Sequence, residues 1–276
     1  MSRNGKPKLG QNFLADARAA ERIVAALGDI SHTLVMEIGP GKGALTDLLA
    51  PRAGLLIAIE LDRMLATELR FKHARNPNVE ILEGDVLRID FRTVLDRSIG
   101  PLHDLRPEKP SRARVVGNLP YYITSDILLR LFAFHEQFDL IVIMVQREVA
   151  ERIAARPGTR DYGLLSATAQ LYTRVEKLFT LPPGAFSPPP KVHSTVLRLT
   201  IAPRFRELQV QPKEFIQFLK YAFAMKRKTL ANNLKKIYPE KHIRSALAEV
   251  GLGYDVRAEA LPLEKSAAVF RRLSQG

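Results

Sequence analysis

The run Gly117-Asn118-Leu119-Pro120-Tyr121-Tyr122-Ile123, directly after the apolar pair Val115-Val116, carries the most specific chemistry in this chain. The Asn118 side-chain carbonyl and the Leu119 backbone carbonyl, held by the stiff Leu119–Pro120 link, make two acceptors aimed at one point. Two acceptors suit an NH2 group, and the aromatic face of Tyr121 beside them suits a planar ring. Tyr122 has no such assignment, and packing in the core is its expected place.

Three further stretches place polar groups or glycines after apolar runs. In Val35–Thr46, "VMEIGPGKGALT", Gly39, Gly41 and Gly43 let the backbone pass close to a ligand, and a helix expected from Ala44 would add N–H donors. Gly39-x-Gly41-x-x-Ala44 also matches the G-x-G-x-x-G/A pattern of dinucleotide sites. Glu60 lies 21 residues after Gly39, at the end of "LLIAIE". A carboxylate has acceptors only, so it can take both hydroxyls of a ribose. Nicotinamide dinucleotides and S-adenosylmethionine both present that feature, and Glu60 does not choose between them. Asp85, in "EGDVL", follows a third apolar run.

These groups need a scaffold that brings strand ends together. From Leu34 to about Leu199, short apolar runs alternate with amphipathic stretches, the βαβ pattern of a doubly wound α/β sheet. Expected strands are 34–38, 55–59, 79–82, 114–116 and 140–145, with a hairpin-like pair at 174–180 and 194–200. Expected helices are 17–27, 44–49, 64–73, 125–134 and 147–154. In such a sheet the carboxyl ends of the strands border one crevice, so Gly39, Glu60, Asp85 and Asn118 should converge. Residues 96–112, with three prolines and no periodicity, are expected to form a long surface loop. Pro203 marks the expected boundary between a domain of residues 1–203 and an all-helical one of residues 204–276, with helices at 212–224, 228–237, 241–250 and 262–273.

Composition narrows the partner. The formal net charge is +13, and residues 191–276 hold 17 Lys/Arg against 7 Asp/Glu, or +10 of it. Charge this concentrated points to a polyanion, and nucleic acid is the expected one. The chain has no cysteine, which excludes disulfides, thiolate metal sites and Cys nucleophiles and fits a cytoplasmic protein. Its six histidines show no metal spacing, so no metal is expected. No apolar run is long enough to span a membrane, and the basic N-terminus lacks the apolar stretch of a signal peptide.

The motifs together resemble one family. Asn118-Leu119-Pro120-Tyr121 is similar to the (D/N/S)-P-P-Y element of amino-methyltransferases, in the N-L-P-Y form of rRNA adenine N6-dimethyltransferases. "LGQNFL" (Leu9–Leu14) resembles their N-terminal element covering the bound S-adenosylmethionine. "FSPPPKVHSTVLRL" (Phe186–Leu199) is similar to their F-x-P-x-P-K-V-x-S element, and "AFAMKRKTLANNL" (Ala222–Leu234) to a stretch of their helical domain. Lys226 and His193 depart from the commoner Arg and Asp. The resemblance covers nearly the whole chain and points to small-subunit rRNA adenine dimethyltransferases of the KsgA type.

That resemblance implies a Rossmann-like, S-adenosylmethionine-dependent methyltransferase fold with a small helical C-terminal domain. It implies dimethylation at N6 of two adjacent adenines near the 3′ end of small-subunit rRNA, within a pre-30S particle, by a monomer with no metal. It assigns cofactor contacts to Asn12, Leu14, Gly39, Gly41, Glu60, Asp85 and Asn118, with Glu60 on the ribose and Asp85 on the adenine amino group. Catalysis falls to Asn118, Leu119, Pro120 and Tyr121, with Phe186 helping to clamp a flipped base. Phosphate contacts fall to Lys6, Lys8, Lys191, Lys226, Arg227 and Lys228. Three alternatives stay open: a nicotinamide-dependent oxidoreductase on the glycine match, a non-catalytic RNA-binding assembly factor, and the related large-subunit rRNA methylase of macrolide resistance.

Overall fold

The computed structural model describes residues 12–96 and 112–275. The strands and helices below follow chain order: β1 (Phe13–Leu14), α1 (Ala17–Ala25), β2 (Leu34–Ile38), α2 (Thr46–Leu49), β3 (Leu55–Glu60), α3 (Arg63–Lys72), β4 (Val79–Glu83) and β5 (Ala113–Asn118). Then come α4 (Thr124–Ala133), β6 (Phe138–Gln146), α5 (Arg147–Ile153), α6 (Leu164–Tyr172), β7 (Thr173–Leu181), β8 (Phe186–Ser187) and β9 (Ser194–Ile201). The last five are α7 (Phe205–Leu208), α8 (Pro212–Ala222), α9 (Leu230–Leu234), α10 (Glu240–Glu249) and α11 (Leu263–Leu273).

Seven strands form one sheet in the order β4-β3-β2-β5-β6-β9-β7. The pairs β2–β3, β3–β4, β2–β5 and β5–β6 are parallel. Every residue of β2 is buried, as expected of a central parallel strand covered on both faces. From β2 the chain builds outward through β3 and β4, then returns to β2's other side with β5 and β6. This reversal puts a crevice at the carboxyl ends of β2 and β5, where ligands of open α/β sheets bind. The insertion of β9 between β6 and β7 departs from the 3-2-1-4-5-6 strand order of dinucleotide-binding folds.

Gly117 pairs with Ile38 where there is no room for a side chain between β5 and β2. A Cβ there would lie 2.5 Å from the Ile38 carbonyl oxygen, a backbone atom that cannot move without breaking the ladder. Gly117→Ala is therefore expected to destabilise the protein by about 1–3 kcal/mol, the usual range for overpacking. A melting temperature equal to that of the parent would contradict this.

Short-range capping sets the helices that follow the strands. The Asp16 carboxylate accepts from Ala19 N at 3.0 Å, and Asp62 accepts from Met64 N at 2.8 Å and Leu65 N at 3.3 Å. α1 then buries Ala19, Ala20, Ile23 and Val24 along one stripe. The helix expected from Ala44 begins instead at Thr46 and lasts four residues. Its delay has a backbone cause: Gly39, Gly41 and Gly43 all take positive φ (67°, 58° and 88°), so the chain turns left-handed until Gly43 is passed.

Internal contacts divide the chain into two units. One runs up to Arg147 and includes Lys177–Leu199; the other comprises Glu148–Glu176 and Thr200 onward. Residues 148–176 thus group with the C-terminal helices, a grouping not visible from a boundary at Pro203. Within that second unit Phe215, Phe218 and Phe270 pack with ring centroids 5.3–6.0 Å apart. Arg204 binds both Glu207 (2.6 Å) and Glu264 (2.5 Å), joining α7 to α11. Among the described residues no helix is long and apolar enough to cross a membrane. The expected loop 96–112 falls almost entirely outside the described residues.

Candidate active site

The carboxyl ends of β2, β3, β4 and β5 open into one cleft, lined by residues 12–14, 37–42, 44–45, 59–61, 84–86, 118–123 and Ile127. Backbone hydrogen bonds knit the loops that leave these strands. Gly39 N donates to Ile59 O (3.0 Å), Gly84 N to Glu60 O (2.9 Å) and Leu119 N to Met144 O (3.1 Å). The residues expected from sequence to meet there do so: Asn12, Leu14, Gly39, Gly41, Glu60, Asp85, Asn118, Leu119, Pro120 and Tyr121 all line the cleft.

Glu60 is buried at the end of β3, with its carboxylate held between two strand-end loops. One oxygen accepts from Gly41 N at 3.0 Å and the other from Asp62 N at 2.9 Å. The glycine-rich turn is therefore spent on the protein's own carboxylate, not left open for phosphate. A Cβ on Gly41 would lie 2.8 Å from the Phe13 ring, so this turn needs glycine for its φ and for its neighbour alike. Asp85 is fixed by Leu87 N at 2.9 Å, and Arg88 Nε lies 3.6 Å from its other oxygen.

The Asn118 amide is oriented by its nitrogen. Nδ2 donates to the Asn12 carbonyl at 2.9 Å, which leaves Oδ1 as the end that accepts. Residues 12–14 are held in turn by pairing with β8, where Leu14 opposes Phe186, and by Ala15 N and Asp16 N donating to Ala185 O. Pro120 O accepts from Thr124 Oγ1 (3.0 Å) and Ile123 N (3.3 Å), so the turn is rigid up to the start of α4. Tyr121 OH and Ser194 Oγ share a hydrogen bond of 3.0 Å.

Phe186 is not part of the cleft wall. It is 4% exposed and packs in the core with Leu14, Ala185 and Val196. Tyr122 departs from expectation in the opposite sense. Expected in the core, it lines the cleft with 64% of its surface exposed. The sequence reading also passed over Glu37, 1% exposed in the middle of β2 and lining the cleft floor. The signal was available, since a carboxylate inside the otherwise apolar run "LVMEI" has no structural reason to be there.

Burial pushes the Glu37 carboxyl up to about 8, opposed by the hydrogen bond that Thr46 Oγ1 donates at 2.8 Å and reinforced by the charges of Asp47 and Glu60. An acid whose folded value is raised binds more protons folded than unfolded. Its contribution to stability is present below the ordinary value of 4.5 and is lost as pH rises towards 8. Glu37→Gln removes the ionisation, so its melting temperature relative to the parent should climb between pH 5 and 8. A difference that stays flat over that window would refute the buried-acid assignment.

The cleft thus presents Glu37, Glu60 and Asp85 against one lysine, Lys42, in a chain of net charge +13. The Glu60 and Asp85 carboxylates repel a pyrophosphate and suit a cationic ligand bearing ribose hydroxyls, while Glu37, kept largely protonated by burial, adds little charge. Together with the strand order, this removes the basis for the dinucleotide reading. Among the described residues no group of three or more His, Cys, Asp or Glu could hold a metal ion.

The basic residues fall into separate places. Lys191 is exposed in the segment before β9. Lys226, Arg227 and Lys228 are exposed in the turn between α8 and α9 of the second unit. Asn233 pins that turn by donating from Nδ2 to Ala222 O (2.7 Å) and Met225 O (3.2 Å), and Lys226 Nζ reaches Arg160 O at 2.6 Å. Lys6 and Lys8 lie outside the described residues.

Comparison with known proteins agrees with this geometry. Ribosomal RNA small subunit methyltransferase A of Koribacter versatilis is 60% identical over 99% of this chain and 98% of its own length. Its counterpart in Acidobacterium capsulatum is 55% identical over 97% and 91%. Among solved structures, a dimethyladenosine transferase from Plasmodium falciparum superposes with a TM-score of 0.78 at 24% identity, covering 95% of this chain and 98% of that one. The 23S rRNA methyltransferase ErmE gives 0.67 at 26% identity, covering 96% and 100%. The sheet with its flanking helices is an α/β methyltransferase fold, and the family model "Ribosomal RNA adenine dimethylase" matches residues 2–275. The chain belongs to the ribosomal RNA adenine dimethylase family.

Proposed function

We propose that this chain transfers methyl groups from S-adenosylmethionine to N6 of two adjacent adenines near the 3′ end of small-subunit rRNA, in a pre-30S particle in the cytoplasm, acting as a monomer. The observation that carries the reading is the Asn118 amide. Its Nδ2 is committed to the Asn12 carbonyl, so Oδ1 is left to accept, beside Leu119 in the cleft lining.

The residues present fit the cofactor. Gly39 and Gly41 form a cradle without Cβ atoms, Glu60 has lone pairs left for ribose hydroxyls, and Asp85 stands after β4 for an adenine amino group. Asn12 and Leu14 would close the site from the β1 side and Asn118 from the end of β5. Bound there, the cofactor supplies an electrophilic methyl carbon on a cationic sulfur.

The adenine amine is a weak nucleophile because its lone pair is delocalised into the ring. In the first transfer, accepting both N–H bonds at Asn118 Oδ1 and Leu119 O favours a tetrahedral nitrogen and frees that lone pair; in the second, the one remaining N–H is accepted at one of the two oxygens. No strong base is needed, since the N6 proton becomes acidic only as the new bond forms and then leaves to water. What the site supplies is position and orientation, the source of most of the rate in such a transfer. Tyr121, anchored to Ser194, gives the base a wall to lie against once it leaves its stack. Phe186, buried and opposite Leu14 in the β1–β8 pair, helps to hold residues 12–14, on whose Asn12 carbonyl the Asn118 amide rests. The part of the chain up to residue 203 is assigned to catalysis, and residues 204–276, with Lys226, Arg227 and Lys228, to rRNA phosphates. Lys6, Lys8 and Lys191 are assigned to the same task.

The test is direct. Purified protein with labelled S-adenosylmethionine should place label on small-subunit RNA from cells lacking the gene, recovered as N6,N6-dimethyladenosine by nucleoside mass spectrometry. Label on large-subunit RNA alone would favour the ErmE-like alternative, and no label on either would overturn the reading.

A further inference from the structure

Tyr122 is an aromatic ring at the mouth of the cleft with no role in the chemistry above. Among the described residues six large apolar side chains are exposed, and of these Tyr122 and Leu61, the latter 49% exposed, line the cleft. The turn that carries Tyr122 is fixed at both ends, by Leu119 N on Met144 O and by Thr124 Oγ1 on Pro120 O. Residues 121–123 form one tight 3₁₀ turn. Successive side chains of such a turn point about 120° apart, so the two tyrosines face different ways. Tyr121 is tied to Ser194, while Tyr122 stands open.

We infer that Tyr122 is a stacking platform for the nucleobase next to the target adenine on the same RNA strand. The inference rests on the function proposed above and deepens it. Adjacent Cα atoms are about 3.8 Å apart, so the two rings leave the backbone at neighbouring points, and because they diverge they suit two consecutive bases splayed to different sides of one strand. A strand that delivers one base to Tyr121 must carry its neighbour past the rim, where Tyr122 and Leu61 offer apolar surface. An exposed planar ring suits that neighbour whatever its identity, because every base has a π-face. The turn is already rigid, so little ordering is required when the base arrives.

The experiment combines protein variants with a modified substrate. Methyl transfer to each of the two adenines is scored separately on small-subunit RNA assembled by ligation, with or without an abasic nucleotide on either side of the adenine being scored, one of these neighbours being the other adenine of the pair. Tyr122→Ala should raise KM by roughly 5- to 150-fold, the range of one base–aromatic stack, and Tyr122→Phe should restore it. Removing the neighbouring base should cost the parent protein a similar factor and cost Tyr122→Ala nothing further, because the two changes delete one contact. Binding of S-adenosylmethionine, followed by equilibrium dialysis, should be the same in all variants. Three results would overturn the inference: KM unchanged in Tyr122→Ala, Tyr122→Leu as effective as Tyr122→Phe, or additive losses for the variant and the abasic RNA. If the parent protein itself methylates no small-subunit RNA, the proposed function fails and this inference falls with it.

Discussion

Asn118→Ala lowers the rate of methyl transfer at saturating cofactor by at least about 10²-fold while the protein remains folded. The estimate is the usual loss when one preorganised polar group is removed from the atom whose charge changes in the transition state. The side chain has two jobs in this structure, and they separate experimentally. Its nitrogen holds the Asn12 carbonyl, so part of the loss should appear as weaker cofactor affinity, measured by calorimetry. Its oxygen accepts from the amine, so the larger part should persist in single-turnover reactions with cofactor saturating. A variant that binds cofactor less well but turns over at the parental rate would show that Asn118 merely holds the 12–14 segment in place.

Glu60→Gln should weaken cofactor binding by about 10²-fold or more, with a smaller effect on the rate once the site is filled. Glu60 is buried and accepts from two backbone amides, and hydrogen bonds to a charged acceptor are worth about 1.5–3 kcal/mol each. Glutamine keeps one acceptor and turns the other end into a donor. That end then faces either Gly41 N or Asp62 N, donor against donor, and a ribose hydroxyl loses its partner. Circular dichroism should show the fold retained, because neighbouring strands hold β3 along its length. Cofactor affinity within a fewfold of the parent would remove Glu60 from the ribose site.

Much of the site was legible because its residues sit at strand ends. Gly39, Glu60, Asp85 and Asn118 each follow an apolar run, and in a doubly wound sheet runs of that kind finish side by side. The boundaries of β2, β3 and β5 were within a few residues for the same reason: buried parallel strands are short, continuous and apolar. The signal failed where burial is uniform. α6 buries Leu165, Ser166, Ala167, Thr168, Ala169, Leu171 and Tyr172, so it has no polar face and no stripe to recognise. It failed again after Gly39, where three left-handed glycines postponed α2.

The amino-acid sequence by itself determined the alternation of strands and helices from β2 to β6 and the helices α8 to α11, the cluster of strand-end polar groups, the concentration of positive charge towards the C-terminus and the resemblance to adenine dimethylases. Each is local in the chain or additive over it, so periodicity and composition suffice to read it. Tertiary structure alone decided that Phe186 is core, where the resemblance implied a clamp on the base, and that Tyr122 is exposed at the cleft, where core packing was expected. It also decided that the Gly41 amide answers Glu60, that Asn118 answers Asn12 across 106 residues, and that Glu37 lies buried on the cleft floor. Which face of a turn looks inward, and which distant partner meets a given donor, depends on how the chain closes upon itself. No short window of sequence contains that information.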